Sequence, residues 1–437
     1  MAEAVEKINN IERRVKVTVP VAPLETQINQ RFNQLTKTVR VQGFRPGKVP
    51  LKIVQQQYGD DVKLEIYSKA IEMRFGEFVQ KNNLRIAGMP NIQHEPLNKV
   101  IGDFEFTATF EIFPEIKVSD VKKLKVTQYE TKVKAEDIKK TLDVLIRQRT
   151  VFNKVDRAAK LGDRVKAQLK SFIDKTEAES TGGQFLEFVL GDTNRIKEFD
   201  EQLIGLKPDL EKSFDIKYPK NHEPKELANK TVSYQVKVIE VQEPIAPKVN
   251  EEFAKQLGVI DGDLNKMNED IKESLTQEVD RRIKANLKEQ VFKALIDSNE
   301  VDLPKALVGV EINRLGEITY QNLQRQGADM KSVKLEPAMF EDRAKVSCKL
   351  RLIIGNIVEV NKLEATAEQI KAKVEEFAMN YDDSEQAIKW FYEDSKRLDE
   401  PRALATEDNV VSWFLAQCKS EKKSIEFDQV MAAQFND

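Results

Sequence analysis

Of the residues in this chain whose types and spacing could do chemistry, the most concentrated run is the octet Gly43-Phe44-Arg45-Pro46-Gly47-Lys48-Val49-Pro50. Glycine adopts positive φ without steric cost, so the backbone can turn sharply at Gly43 and at Gly47. Pro46 keeps Arg45 out of the α region, and Pro46-Gly47 suits the two central positions of a type II turn. The pattern predicts a tight loop with Phe44 and Arg45 at its tip. A guanidinium can grip a phosphate or carboxylate through two parallel hydrogen bonds, and a ring beside it can fill a pocket. Lys48 adds a second cation. The chemistry such a loop offers is recognition, not bond cleavage. The same turn residues also suit an ordinary solvated connection between two helices.

Groups that would break bonds are sparse. The two histidines, His94 and His222, are far apart in sequence, which disfavours a paired metal site or a Ser-His-Asp triad. No phosphate-binding glycine loop and no dinucleotide fingerprint occurs. Carboxylates are abundant but spread over helix faces, with no pair standing out as acid and base. An ATP-driven machine or a hydrolase is disfavoured, and no cofactor or metal is expected. One third of the residues are charged, yet the net charge is −3, which suits mixed-sign surfaces and not bulk affinity for nucleic acid. Residues 1–60 are the exception, with ten Lys and Arg against five acids. A basic end of this kind suits an anionic partner such as ribosomal RNA or an acidic protein. Cys348 and Cys418 form no metal or disulfide motif, which fits a reducing compartment. No apolar run approaches a membrane span and the first residues lack a signal-peptide core, so a cytoplasmic protein without a membrane partner is expected.

The length, 437 residues, calls for two or three domains. Residues 11–21 alternate as a half-buried strand, and Pro23 opens a helix with Leu24, Ile28, Phe32, Leu35 and Val39 on one face. After the octet come a short helix over 51–58, ending at Gly59, and a longer one to about Asn82. Two strands, 84–96 and 103–113, complete an α+β region. Residues 135–149 form an amphipathic helix. From about 154 to 241 the texture changes to short strands, at 164–172, 185–190, 213–218 and 231–241, with a short helix near Phe199. Beyond Pro247 the chain is almost wholly helical, with helices expected at 264–295, 305–326, 336–361, 367–379, 385–394, 407–418 and 427–435. That region carries Met330, Met339, Met379, Met431, Trp390, Phe391, Tyr392, Trp413 and Phe414. Each is core material or an adaptable surface for apolar segments, and spacing alone does not separate the two.

Gly43, Phe44, Arg45, Gly47, Lys48 and Pro50 resemble the ribosome-docking signature of the trigger factor family, with Pro46 at its variable position. The order of elements along the whole chain is similar too. The middle segment resembles an FKBP-like prolyl isomerase domain: Phe188-Val189-Leu190-Gly191, Ile196, Phe199, Gly205, Pro219 and Lys230 fall where that pattern expects them. The tripeptide Gly182-Gly183-Gln184 is similar to the one with which translation release factors hydrolyse peptidyl-tRNA, but a strand follows it directly, and a hairpin or bulge is the expected reading.

The resemblance implies a multidomain α+β chain: an N-terminal α+β ribosome-binding domain over 1–113, a connecting arm over 114–153, an FKBP-like β-rich middle domain over 154–243, and an all-α C-terminal chaperone domain over 244–437. It implies an ATP-independent chaperone docking near the ribosomal exit tunnel, on a tunnel protein and ribosomal RNA. There it shields nascent chains, and off the ribosome a homodimer is allowed. Docking falls to Gly43, Phe44, Arg45, Pro46, Gly47 and Lys48. The candidate isomerase walls are Leu169, Ile196, Phe199, His222 and Tyr234. The family pattern is degraded there: Gln168 and Leu169 stand for an acid and an aromatic, His222 for a tyrosine, and Lys197-Glu198 for Pro-Gly. Slow isomerisation is therefore expected. A helical scaffold without ribosome binding and an isomerase acting mainly as a catalyst are the rival readings. The octet counts against the first and the degraded pocket against the second.

Overall fold

A computed structural model describes the chain except residues 1–4, 46, 97–101, 174–175, 178–183, 193–195, 219–229, 329–332 and 436–437. Two compact units emerge: residues 1–129 with 284–423, and residues 130–283 with 424–437.

The first unit begins with an antiparallel sheet in the order β1 (Val5–Lys7), β2 (Glu12–Val19), β4 (Phe104–Glu111), β3 (Asn91–His94). Alternation makes one face of it: Val15, Val17 and Val19 are buried on β2, and Phe104, Phe106, Ala108 and Phe110 on β4. These side chains join one core with Leu24, Ile28 and Phe32 of α1 (Ala22–Thr38) and with Val54, Val62, Ile66 and Phe75 of α2 (Leu51–Lys81). The α2 helix is a single element of 31 residues, where the sequence suggests a break at Gly59. A mid-helix glycine costs about 1 kcal/mol, but Val54, Val62 and Ile66 keep one buried face running past it, and packing outweighs propensity. The strand expected over 84–96 shortens to β3 and one bridge, Ile86 to Ile112.

The rest of this unit is mostly helical: the later part of α6 (Leu264–Ser298), α7 (Lys305–Arg325), α8 (Glu341–Asn361), α9 (Ala367–Ala378), α10 (Ser384–Glu393) and α11 (Asp399–Gln417). One strand, β12 (Lys419–Ser424), pairs with β5 (Lys125–Glu130). The core unites Val291, Leu295, Ile353, Ile357, Val410 and Phe414 with Val121 and Val126. The α11 helix starts eight residues earlier than periodicity suggests, because Pro401 falls in its first turn, where a missing N–H costs nothing. Helices α7 and α8 are also joined by a charge. Glu311, buried on α7, accepts hydrogen bonds from Arg314 (2.6 and 2.9 Å), Ser347 (2.7 Å) and Arg351 (2.7 Å). A buried carboxylate is tolerated only when its lone pairs are filled in this way.

The second unit centres on β11 (Thr231–Ile245), which pairs antiparallel with β10 (Glu211–Lys217), β7 (Arg164–Ile173) and β6 (Val151–Val155). Strand β7 pairs in turn with β8 (Thr176–Glu177) and β9 (Gln184–Val189). Val232, Tyr234, Val236 and Val238 of β11 are buried on one face, against α4 (Lys197–Leu203). Beside this sheet, Leu142, Leu145 and Ile146 of α3 (Ala135–Gln148) pack on Phe253 of α5 (Glu251–Gln256) and Met267 of α6.

Candidate functional site

The octet connects α1 to α2 and forms two consecutive turns. The Phe44 N–H donates to the Val41 carbonyl at 3.1 Å, with Gly43 at φ +90°. The Lys48 N–H donates to the Arg45 carbonyl at 3.0 Å, with Gly47 at φ +81°. Each turn thus has a positive-φ glycine at its third position, as a type II turn requires. Val49 is buried in the core and Val41 packs against it, so both flanks are pinned. Phe44, 40% exposed, stands open between them with Arg45 and Lys48. Pro46 lies outside the described residues.

The second site lies in the sheet around β11. Leu169, Phe199 and Tyr234 enter the same buried cluster, and Ile196 and Phe188 pack against it. His222 lies outside the described residues. Strand register does the gathering: Val236 opposes Leu169, and Tyr234 opposes Phe214 on one side and Ser171 on the other. Phe199, carried by α4, is the hub. Its ring meets Tyr234 edge-on at 5.3 Å (88°), Phe214 at 5.5 Å and Phe188 at 6.0 Å. Such T-shaped contacts are preferred over face-to-face stacking and hold rings rigidly.

Sequence reasoning missed two members, Phe214 and Tyr218. The signal was present as alternation, Phe214-x-Ile216-x-Tyr218, at the edge of β10. The Tyr218 and Tyr234 hydroxyls are hydrogen-bonded at 2.5 Å. Burial first, then the bond to Tyr218, pushes the Tyr234 phenol far above its ordinary pKa, so it stays protonated across the physiological range. Within the buried cluster, Leu169 (7%), Phe199 (7%), Tyr234 (8%) and Tyr218 (9%) are the members with the most surface open to water, and every other member is 4% exposed or less. Solvent therefore reaches this core at one small patch, and the patch is aromatic.

The apolar residues of the helical region divide. Phe414 and Phe391 are buried, and Trp413 packs into the core. Met339 (64%), Met379 (80%), Trp390 (45%) and Tyr392 (48%) are open. Met330 lies outside the described residues. A cavity of about 570 Å³ is lined by Phe377, Tyr381, Trp390, Phe391 and Arg397 among others, with the Arg397 guanidinium 4.1 Å above the Trp390 ring. A second, of about 380 Å³, lies between α7 and the turn Pro337–Phe340. These are shallow apolar surfaces without a reactive group. Among the described residues no cluster of His, Cys, Asp or Glu is placed to hold a metal ion, and no helix is long and apolar enough to cross a membrane.

Residues 155–239 match the family of FKBP-type peptidyl-prolyl cis-trans isomerases, so the aromatic patch belongs to a prolyl isomerase domain set within a larger chain. Residues 1–145 match bacterial trigger factor protein, and residues 263–416 match its C-terminus. A trigger factor from Methylobacillus flagellatus is 44% identical over 99% of both chains. One from Chromobacterium violaceum is 39% identical over 99% of this chain and 100% of its own. A solved structure reported as "Promiscuous Substrate Recognition in Folding and Assembly Activities of the Trigger Factor Chaperone" covers 94% of this chain at 15% identity, with a TM-score of 0.48. The chain belongs to the trigger factor family: it is a chaperone with a ribosome-binding N-terminal domain and an FKBP-type isomerase domain.

Proposed function

We propose that the chain docks at the ribosomal exit tunnel through Gly43, Phe44, Arg45, Pro46, Gly47 and Lys48, and that it acts in the cytoplasm. Arg45 and Lys48 meet acidic protein and ribosomal RNA there, while Phe44 enters a pocket of the tunnel protein. Nascent segments are shielded by weak, dispersed burial on open apolar residues such as Met379, Trp390 and Tyr392. No nucleotide is needed, because contacts of this kind release by themselves. Off the ribosome the same surfaces allow a homodimer. The middle domain isomerises prolyl bonds by enclosing a proline among Leu169, Ile196, Phe199 and Tyr234, where the twisted amide is favoured over the planar one. The uncatalysed barrier is about 18–20 kcal/mol, so closure of the pocket decides the rate. Leu169 in place of a ring, with Lys197 and Glu198 at the start of α4, makes that closure poor and the catalysis slow.

The observation that supports docking most directly is the exposed Phe44-Arg45-Lys48 tip on two pinned turns. Replacing all three by Ala should abolish co-sedimentation with ribosomes and leave thermal unfolding unchanged. The wild-type interaction should also weaken as salt rises, since it rests on charge-assisted hydrogen bonds worth roughly 1.5–3 kcal/mol each. Pelleting of the triple variant at the wild-type level would remove the loop from the interface.

A further inference from the structure

The rings that wall the isomerase patch need no hydroxyls, since phenylalanine at 218 and 234 would fill nearly the same space. Burying two hydroxyls among apolar rings costs free energy unless they are hydrogen-bonded. Here they bond to each other at 2.5 Å, and they do so at the rim, where solvent reaches the core, not in its depth. We propose that the Tyr218–Tyr234 hydroxyl couple is the hydrogen-bonding element of the isomerase site, and that it holds the carbonyl of the substrate proline itself. This rests on the isomerase reading of the domain.

The choice of carbonyl follows from the reaction. Resonance in the planar Xaa–Pro amide places negative charge on the Xaa carbonyl oxygen, and twisting the bond removes that charge. A donor on that oxygen would favour the planar ground state and slow the reaction. A donor on the proline's own carbonyl, which does not rotate relative to the ring nitrogen, grips the substrate equally in both states and leaves the rotating amide in apolar surroundings. Two hydroxyls bring two protons and their mutual bond uses one. An arriving carbonyl can take the other after rotation about a single C–O bond. Tyr234 is well placed to hold such a geometry. Its ring is fixed edge-on by Phe199 and lies 5.9 Å from Phe214, its partner across the strands.

A double-mutant cycle in the full-length chain separates this role from a structural one. Tyr218→Phe or Tyr234→Phe alone leaves the other hydroxyl without its partner and should lower the thermal midpoint. The double variant Tyr218→Phe/Tyr234→Phe leaves no orphan and should recover most of that loss. Binding is read with two peptides, Ala-Ala-Pro-amide and the matching Ala-Ala-pyrrolidide, which lacks the proline carbonyl. The parent should prefer the prolinamide by about three- to ten-fold, one neutral hydrogen bond's share. The double variant should bind both alike, and its kcat/KM for prolyl isomerisation should fall by a similar factor. A double variant that keeps both the preference and the parent's kcat/KM, or a parent that does not distinguish the peptides, would overturn the assignment. A parent that prefers the prolinamide yet accelerates no isomerisation would instead sink the isomerase reading and leave the couple as a binding element.

Discussion

The docking loop and the isomerase patch both present rings beside polar groups, but they build them by opposite means. The loop is six contiguous residues. Two backbone hydrogen bonds and two positive-φ glycines shape it, and Phe44, Arg45 and Lys48 stand in water. The patch draws Leu169 from β7, Phe199 from α4, Phe214 from β10 and Tyr234 from β11, and the buried walls are also core. Recognition in the loop is therefore separable from stability, because its tip carries almost none of the fold. Catalysis in the patch is not separable, because removing a wall also removes packing.

The largest effect should come from attacking that coupling directly. Phe199→Ala deletes the ring that meets three others, so it should destabilise the middle domain by about 3–5 kcal/mol, as large-to-small core changes do. In a proline-limited refolding assay it should also remove the modest acceleration expected of the parent. The parent itself should lag behind a homologue that carries an aromatic at 169 and Pro-Gly at 197–198. Lys197 and Glu198 are exposed, so their desolvation opposes closure over the substrate and not folding. A Phe199→Ala protein of unchanged stability would mean that the ring stands outside the core, and a parent as fast as the fuller homologue would mean that the pocket closes well without those residues.

Charges draw the same contrast. Arg45 and Lys48 lie open, whereas Glu311 is enclosed by Arg314, Ser347 and Arg351. The hydrogen bond from Arg314 comes first in holding its carboxyl down, burial opposes it, and the bonds from Ser347 and Arg351 bring the pKa to about 2. A depressed carboxylate stabilises the fold above its unfolded pKa and loses that stability as pH falls through the folded value. For Glu311 the loss runs from about pH 4.5 down to about pH 2. Its size is at most about 3 kcal/mol, because both arginines are themselves half open to water. Acid titration of the wild type and of Glu311→Gln, followed by helical circular dichroism, should show the variant less stable at pH 7 and the two curves converging towards pH 2. Parallel curves over the whole range would show that the carboxylate carries no linked stability.

What was legible in the sequence follows the same division. The turns at Gly43 and Gly47, the alternation of β4 and β11 and the long α7 and α8 are local, and local chemistry writes them into adjacent residues. The continuous α2 was not legible, because Gly59 reads as a stop unless one knows that Val54 and Val62 share a core. Leu169, Ile196, Phe199 and Tyr234 were found by resemblance to a family pattern. Tyr218 was not found, because its role depends on β10 and β11 pairing in one register. Which of Met379, Trp390, Phe391 and Phe414 would face water was equally closed to periodicity, since all occupy similar amphipathic patterns and only the neighbouring helices decide.

The smallest effect tests whether the loop's shape, and not only its side chains, matters. Gly47 sits at φ +81°, and a Cβ there would meet only the Lys37 carbonyl oxygen, at an ordinary 3.8 Å. Alanine therefore fits the space but not the backbone, with strain of about 1–2 kcal/mol in the left-handed region. Gly47→Ala can relieve that strain only by opening the second turn, which moves Lys48 relative to Arg45. Ribosome affinity should fall by up to about ten-fold, the equivalent of that strain, while the core held by Val41 and Val49 is untouched and the thermal midpoint shifts little. Gly59→Ala is the matching control. That glycine lies inside α2 without positive φ and with open space around it, so alanine should stabilise the helix by about 0.5–1 kcal/mol and leave ribosome binding as it was. If Gly47→Ala pelleted with ribosomes as well as Gly59→Ala does, the turn would be incidental, and Phe44, Arg45 and Lys48 would dock from a chain free to find its own shape.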